Sequence, residues 1–170
     1  MPLTRRFLPC ARGIMIAHES IRNFRKGGGK MEELTRLIRE DMKPALGVTE
    51  PGAIAFAVAS AKKHTSGEVK HVKVALNSGM YKNAFTCGIP GTSEVGNYYA
   101  AALGAVAADP KKGLECLEGI GKAEEDAAGE MIKAGMISVS MSSITSRLFI
   151  EATVTRADSE SVVNIQDTHP

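Results

Sequence analysis

The chain has 170 residues, 44% of them apolar and 24% charged, with a formal net charge of +2. That length carries one domain with a sizeable core. The composition is that of a globular protein, not a disordered one, and so small a charge argues against nucleic acid or an acidic membrane surface as a partner.

The total hides an asymmetry. Residues 1–30 hold seven Lys or Arg against Glu19 alone, a net of +6, while residues 31–170 hold 14 basic and 18 acidic residues, a net of −4. The first stretch reads as a basic flexible extension ending in Gly27-Gly28-Gly29, which costs much entropy to order. Arg5, Arg6, Arg12 and His18 interrupt every apolar run there, against a secretory signal. An Arg-rich, acid-poor start fits a transit peptide, and it fits equally an upstream extension from an early start codon. The second reading is preferred, because Met31 opens a clean helix.

From Met31, Leu34, Leu37, Ile38 and Met42 recur at helical spacing with charges between them, so an amphipathic helix is expected, ended by Pro44. Thr49 is the expected N-cap of a second helix running from Gly52 to about Lys63, with Pro51 in its first turn. This helix is Ala-rich and apolar nearly all round, and so is expected to be buried. Val69 to Asn77 alternates and then turns apolar, as a strand does. Asn77 to Gly96, with its glycines and Pro90, reads as a long loop. A second Ala-rich buried helix covers Val95 to Ala108 with Thr92 or Ser93 as cap, and further helices cover Gly113–Leu117 and Lys122–Ala134. From Met136 the period changes to two, and Met136–Met141, Arg147–Thr155 and Ser161–Ile165 read as three strands of an antiparallel meander. The fold class is therefore α+β, with Ala-rich buried helices packed on a mainly antiparallel sheet. Residues 31–170 form the folded domain.

No run of about 18 or more apolar residues occurs, so no membrane span is expected. The cysteines Cys10, Cys87 and Cys116 are odd in number and lack CxxC spacing. That pattern suits a reducing cytoplasm better than a disulfide framework. His64, His71, His18 and His169 come without HxxxH or paired carboxylate spacing, so no metal ligands are assigned.

Two loops lead into the buried helices: Gly47-Val48-Thr49-Glu50-Pro51 and the Gly-rich Gly88-Ile89-Pro90-Gly91-Thr92-Ser93. Helix starts attract anions through their free N–H groups and dipole, although two ordinary caps account for the same pattern. Neither loop is a P-loop or a GxGxxG turn. Between them, Lys82 and Asn83 are suited to orienting a small polar substrate, and Lys82 serves as a base only if burial lowers its pKa. A solvated Lys is the plainer reading.

The order of these stretches, followed by Ala100-Ala101-Ala102-Leu103-Gly104-Ala105 and Asp109-Pro110, resembles the L-cysteine desulfidase family, related to the iron–sulfur L-serine dehydratases of the alpha-chain type. The resemblance runs from about Met31 to Pro170 and covers only the N-terminal part of family members. It implies a carbon–sulfur or carbon–oxygen lyase in which a [4Fe-4S] cluster with an open iron activates the leaving group of L-cysteine or L-serine. Elimination yields aminoacrylate, which hydrolyses to pyruvate and ammonia, with sulfide from cysteine. On this basis Lys82 and Glu50 are the expected catalytic residues, and Thr49, Asn83, Gly91 and Thr92 the expected substrate-binding ones. Glu50 is alternatively a loop-holding residue.

One departure stands out. The family reads Gly-Cys-Thr-Glu-Pro, with the Cys a cluster ligand, and here the position is Val48. No cofactor is therefore expected in this chain alone. Two readings follow: the N-terminal part of a split lyase partnered by a C-terminal-half subunit, or a non-catalytic small-anion or amino-acid binding domain. Either is expected to expose an apolar face available for self-association.

Overall fold

A computed structural model of the chain describes residues 31–42, 44–168 and 170. The expectations for residues 1–30, including Cys10 and His18, and for His169 lie outside the described residues. Helix α1, Met31–Asp41, carries Glu32 and Glu33 in its first turn and Arg39 in its last, the charge order that suits the helix dipole. It belongs to a unit that ends at Pro44, separate from the compact unit formed by Ala45–Pro170.

That unit holds α2 (Thr49–Lys63), β1 (Val69–Asn77), α3 (Ser78–Ala84), α4 (Gly96–Val106), a 3-10 turn (Pro110–Glu115), α5 (Lys122–Lys133), β2 (Ile137–Ser143), β3 (Phe149–Arg156) and β4 (Glu160–Gln166). The four strands form one sheet in the order β2-β1-β3-β4. The fold is α+β, as the change from helical to alternating pattern indicates. β1 lies at the centre because it has the most to bury. Val72, Val74 and Leu76 are fully buried on one face, opposite Val154, Ala152 and Ile150 of β3. α2 packs over β3 and β4, and α4 over β1 and β2, with α5 against α4.

Three expectations change. β2 does not open a meander: it pairs parallel with β1, while β1–β3 and β3–β4 are antiparallel. Only its Ile137 and Val139 are buried, and the polar run from Ser140 to Ser143 is exposed, as suits an edge strand. The chain then crosses β1 to reach β3, and buried Asn77 fixes that crossing. Its Nδ2 donates to the Thr145 carbonyl at 3.0 Å, and its Oδ1 accepts from the Phe149 N–H at 3.1 Å. The stretch read as a long loop contains α3, whose Met80 and Ala84 form a buried i, i+4 pair too short to register as a period. The helix expected at Gly113–Leu117 is a 3-10 turn beginning at Pro110. It is capped by Asp109, which accepts from Lys111 N–H at 2.9 Å, and is bent at Gly113 by its positive φ of 56°.

The closest helix contact is between α2 and α4. A Cβ on Gly104 would lie 2.7 Å from the Ala55 carbonyl oxygen and 2.9 Å from Val58 Cβ. Overpacking of this kind costs about 1–3 kcal/mol. Gly104→Val is expected to lower the unfolding free energy by about 3 kcal/mol, read from urea denaturation, whereas Gly88→Ser, where a Cβ meets nothing within 4 Å and φ is not positive, should cost much less.

Candidate functional site

Two contacts define how α2 and α4 run. Gly104 meets Ala55 and Val58, and further along both helices Lys62 Nζ donates to the Val106 carbonyl at 3.1 Å. The contacts follow the same order in each helix, so the helices are parallel and both N-termini lie at one end of the pair. Their dipoles therefore add there instead of cancelling.

At that end, stretches remote in sequence come together. The Glu50 carboxylate accepts from Asn83 Nδ2 at 3.3 Å and from the Thr49 hydroxyl at 3.4 Å. Gly47 sits beside Pro90, whose Cγ would be 3.4 Å from a Cβ on Gly47. The Gly96 N–H donates to the Cys87 carbonyl at 3.0 Å, and Asn97 Nδ2 donates to the Tyr81 carbonyl at 3.0 Å. Gly96 is required where it stands: its φ is +93°, and a Cβ would meet the Phe85 carbonyl oxygen at 2.7 Å.

Both helix starts depart from the expected caps. The N-cap residues are Val48 and Val95, each in extended conformation, and neither offers a side-chain acceptor. Ser, Thr, Asp or Asn at such a position is typically worth about 1 kcal/mol. Thr49, expected as the cap of α2, is its first helical residue, because the break to extended backbone falls at Val48. Thr92 and Ser93 lie short of the start of α4 and are engaged elsewhere.

The loop between Gly88 and Val95 is closed by a bridge between those two residues. The Thr92 N–H and hydroxyl both donate to the Ile89 carbonyl, at 3.2 and 3.1 Å, and its hydroxyl oxygen accepts from the Glu94 N–H at 3.2 Å. Gly91 takes φ +82° in this turn. Ser93 donates through its N–H and its hydroxyl to the two Glu125 oxygens, each at 3.0 Å, and Lys122 Nζ donates to the same carboxylate at 2.7 Å. The anion seat expected in this loop thus holds the chain's own Glu125, only 5% exposed. Glu125 lies with Glu124 in the acidic first turn of α5. The spacing of Glu125 with Ala128 and Gly129 put it on the buried face of that helix, a signal available in the pattern.

The other candidates are placed as follows. Lys82 is exposed, so the burial on which a base role depends is not met in this structure. Asn97, unremarked in the sequence, is buried at the start of α4, and its Oδ1 has no partner among the described residues. An Asn in an otherwise apolar, Ala-rich run was the clue to it. Cys87, half-buried, donates Sγ–H to the Asn83 carbonyl at 2.7 Å. Cys116 is buried beside the Gly52 carbonyl at 3.5 Å, and burial pushes its thiol up to about 11. Among the described residues the thiols are Cys87 and Cys116, fewer than the three or four thiolates that a four-iron cluster takes. Among the described residues no group of three or more His, Cys, Asp or Glu is arranged to hold a metal ion. Nor is any helix among them long and apolar enough to cross a membrane.

The Lys122 ammonium and the Ser93 donors hold the Glu125 carboxyl down at about 2, against an ordinary value of 4.5. A depressed carboxyl stabilises the fold above its unfolded pKa and loses that contribution as pH falls through the folded one. Glu125→Gln is therefore expected to lower the melting temperature at pH 7. The gap from the parent chain should close as pH falls from about 4.5 towards 2, followed by thermal melts across that range.

No family model matches the chain. It is similar to a UPF0597 protein of Clostridium botulinum (strain Okra / Type B1), 43% identical over 122 residues, which are 72% of this chain and 28% of that relative. A second UPF0597 protein, from Clostridium botulinum (strain Langeland / NCTC 10281 / Type F), is 36% identical over 138 residues, 81% of this chain and 32% of the relative. The chain thus spans about a third or less of the length of these curated relatives, and matches them over most of its own.

Proposed function

We propose that the paired starts of α2 and α4 hold a small zwitterionic amino acid, and that the chain is the substrate-holding portion of a β-eliminating lyase acting on L-cysteine or L-serine in the cytoplasm. The observation that carries this reading is the convergence at one end of a parallel helix pair of Glu50, Asn83 and two starts whose N-cap valines offer no acceptor. The substrate carboxylate faces the Lys82 ammonium and the positive end of the α4 dipole. Its ammonium group faces the Glu50 carboxylate, which Thr49 and Asn83 hold in place. Gly91 and Thr92 act by shaping the loop beside it, since the Thr92 donors are already spent on Ile89.

The described residues hold and orient; they do not supply the ligands of an iron–sulfur cluster. A second reading, a non-catalytic amino-acid or small-anion binding domain, is favoured by Val48, whose isopropyl group cannot bind iron. Calorimetry with L-cysteine and L-serine tests the shared part of both readings, and absence of binding to either would overturn the first and leave of the second only a small-anion site. Pyruvate release after anaerobic incubation with iron and sulfide separates them from a chain active by itself. Binding without pyruvate is expected.

Lys82→Ala is expected to weaken amino-acid binding about tenfold and to leave the melting temperature unchanged. Loss of both together would mean that Lys82 is structural.

A further inference from the structure

Five large apolar side chains crowd the same end of the helix pair: Leu46, Val48, Phe85, Val95 and Tyr98, exposed by 38%, 47%, 56%, 53% and 41%. Single exposed apolar residues need no explanation. These differ because hydrogen bonds and close approaches tie their neighbours together. Val48 and Leu46 flank Gly47, which abuts Pro90. Phe85 has its carbonyl against Gly96, which follows Val95, and Tyr98 lies one helical turn from Val95. Together they expose on the order of 400 Å² of apolar surface, in the range of the largest patch on a typical monomer, which is often functional. Two of the five are the N-cap valines, so the patch is also where two helix starts lack side-chain acceptors. A surface of exposed apolar side chains suits a partner segment that is itself apolar.

The relatives indicate what such a partner is. The matched segment is 28% of one and 32% of the other, so most of each relative is polypeptide that this chain's match does not include. We infer that the rim formed by Leu46, Val48, Phe85, Val95 and Tyr98 is a docking surface for polypeptide equivalent to the unmatched part of the UPF0597 relatives, which closes over the amino-acid site. The inference rests on the placing of that site at the paired helix starts, but not on its chemistry.

The test is co-expression of the full tagged chain with the unmatched part of the Okra relative, followed by affinity capture and mass measurement by light scattering. A one-to-one complex is expected. Phe85→Glu or Val95→Glu should weaken it at least tenfold, and Ile144→Glu, at the most exposed apolar residue (86%), should not. Recovery of the tagged chain without the co-expressed polypeptide, soluble or aggregated, would overturn the inference. So would a dimer of the chain alone that the same two substitutions dissolve, since the rim would then serve a second copy. L-cysteine binding is measured on the same samples: a complex that binds no amino acid leaves the docking surface standing and removes the functional reading.

Discussion

The molecule depends on the close parallel contact between α2 and α4. It exists because Gly104 has no side chain where Ala55 and Val58 approach, and because the buried residues of both helices are rich in alanine. Small side chains let two backbones approach where leucines would hold them apart. The pair then lies flat on one face of the sheet, α2 over β3 and β4 and α4 over β1 and β2. Both N-termini fall at one end and both C-termini at the other.

The two ends are finished differently. At the C-terminal end, cations meet the carbonyls: Lys62 donates to Val106, and Arg156 Nη2 donates to the Lys62 carbonyl at 3.3 Å. Burial and the nearby Arg156 lower the pKa of Lys62, which is the electrostatic cost of seating two cations together. At the N-terminal end the complementary device, a side-chain acceptor at each N-cap, is missing, and valines stand there instead. Stability is given up at that end, since a side-chain acceptor at each N-cap is typically worth about 1 kcal/mol.

The loop between Gly88 and Val95 shows how a motif can be read correctly in kind and wrongly in occupant. Its glycine-rich pattern suggested a seat for an anion, and the loop does hold one, but the anion is the Glu125 carboxylate from α5, thirty-two residues away from Ser93. An internal carboxylate of this kind rigidifies the loop and keeps Pro90 against Gly47. The start of α4 itself is buried at Gly96 and Asn97, and the Gly96 N–H donates to the Cys87 carbonyl. No local signal distinguishes a loop waiting for a ligand from one filled by its own chain, because the difference lies in a contact between distant segments.

By itself the sequence determined the α+β class, the two alanine-rich buried helices and the position of β1. Each of these is written in local periodicity, in glycine and proline placement, or in helix propensity, and local energetics suffice to set them. The tertiary structure decided that β2 pairs with β1 rather than β3, that Ser78–Ala84 is helical, that valines cap both helix starts, and that those starts lie side by side. Strand partners, helix direction and the filling of a loop depend on which distant surfaces bury one another best, and that competition is settled only when the whole core packs.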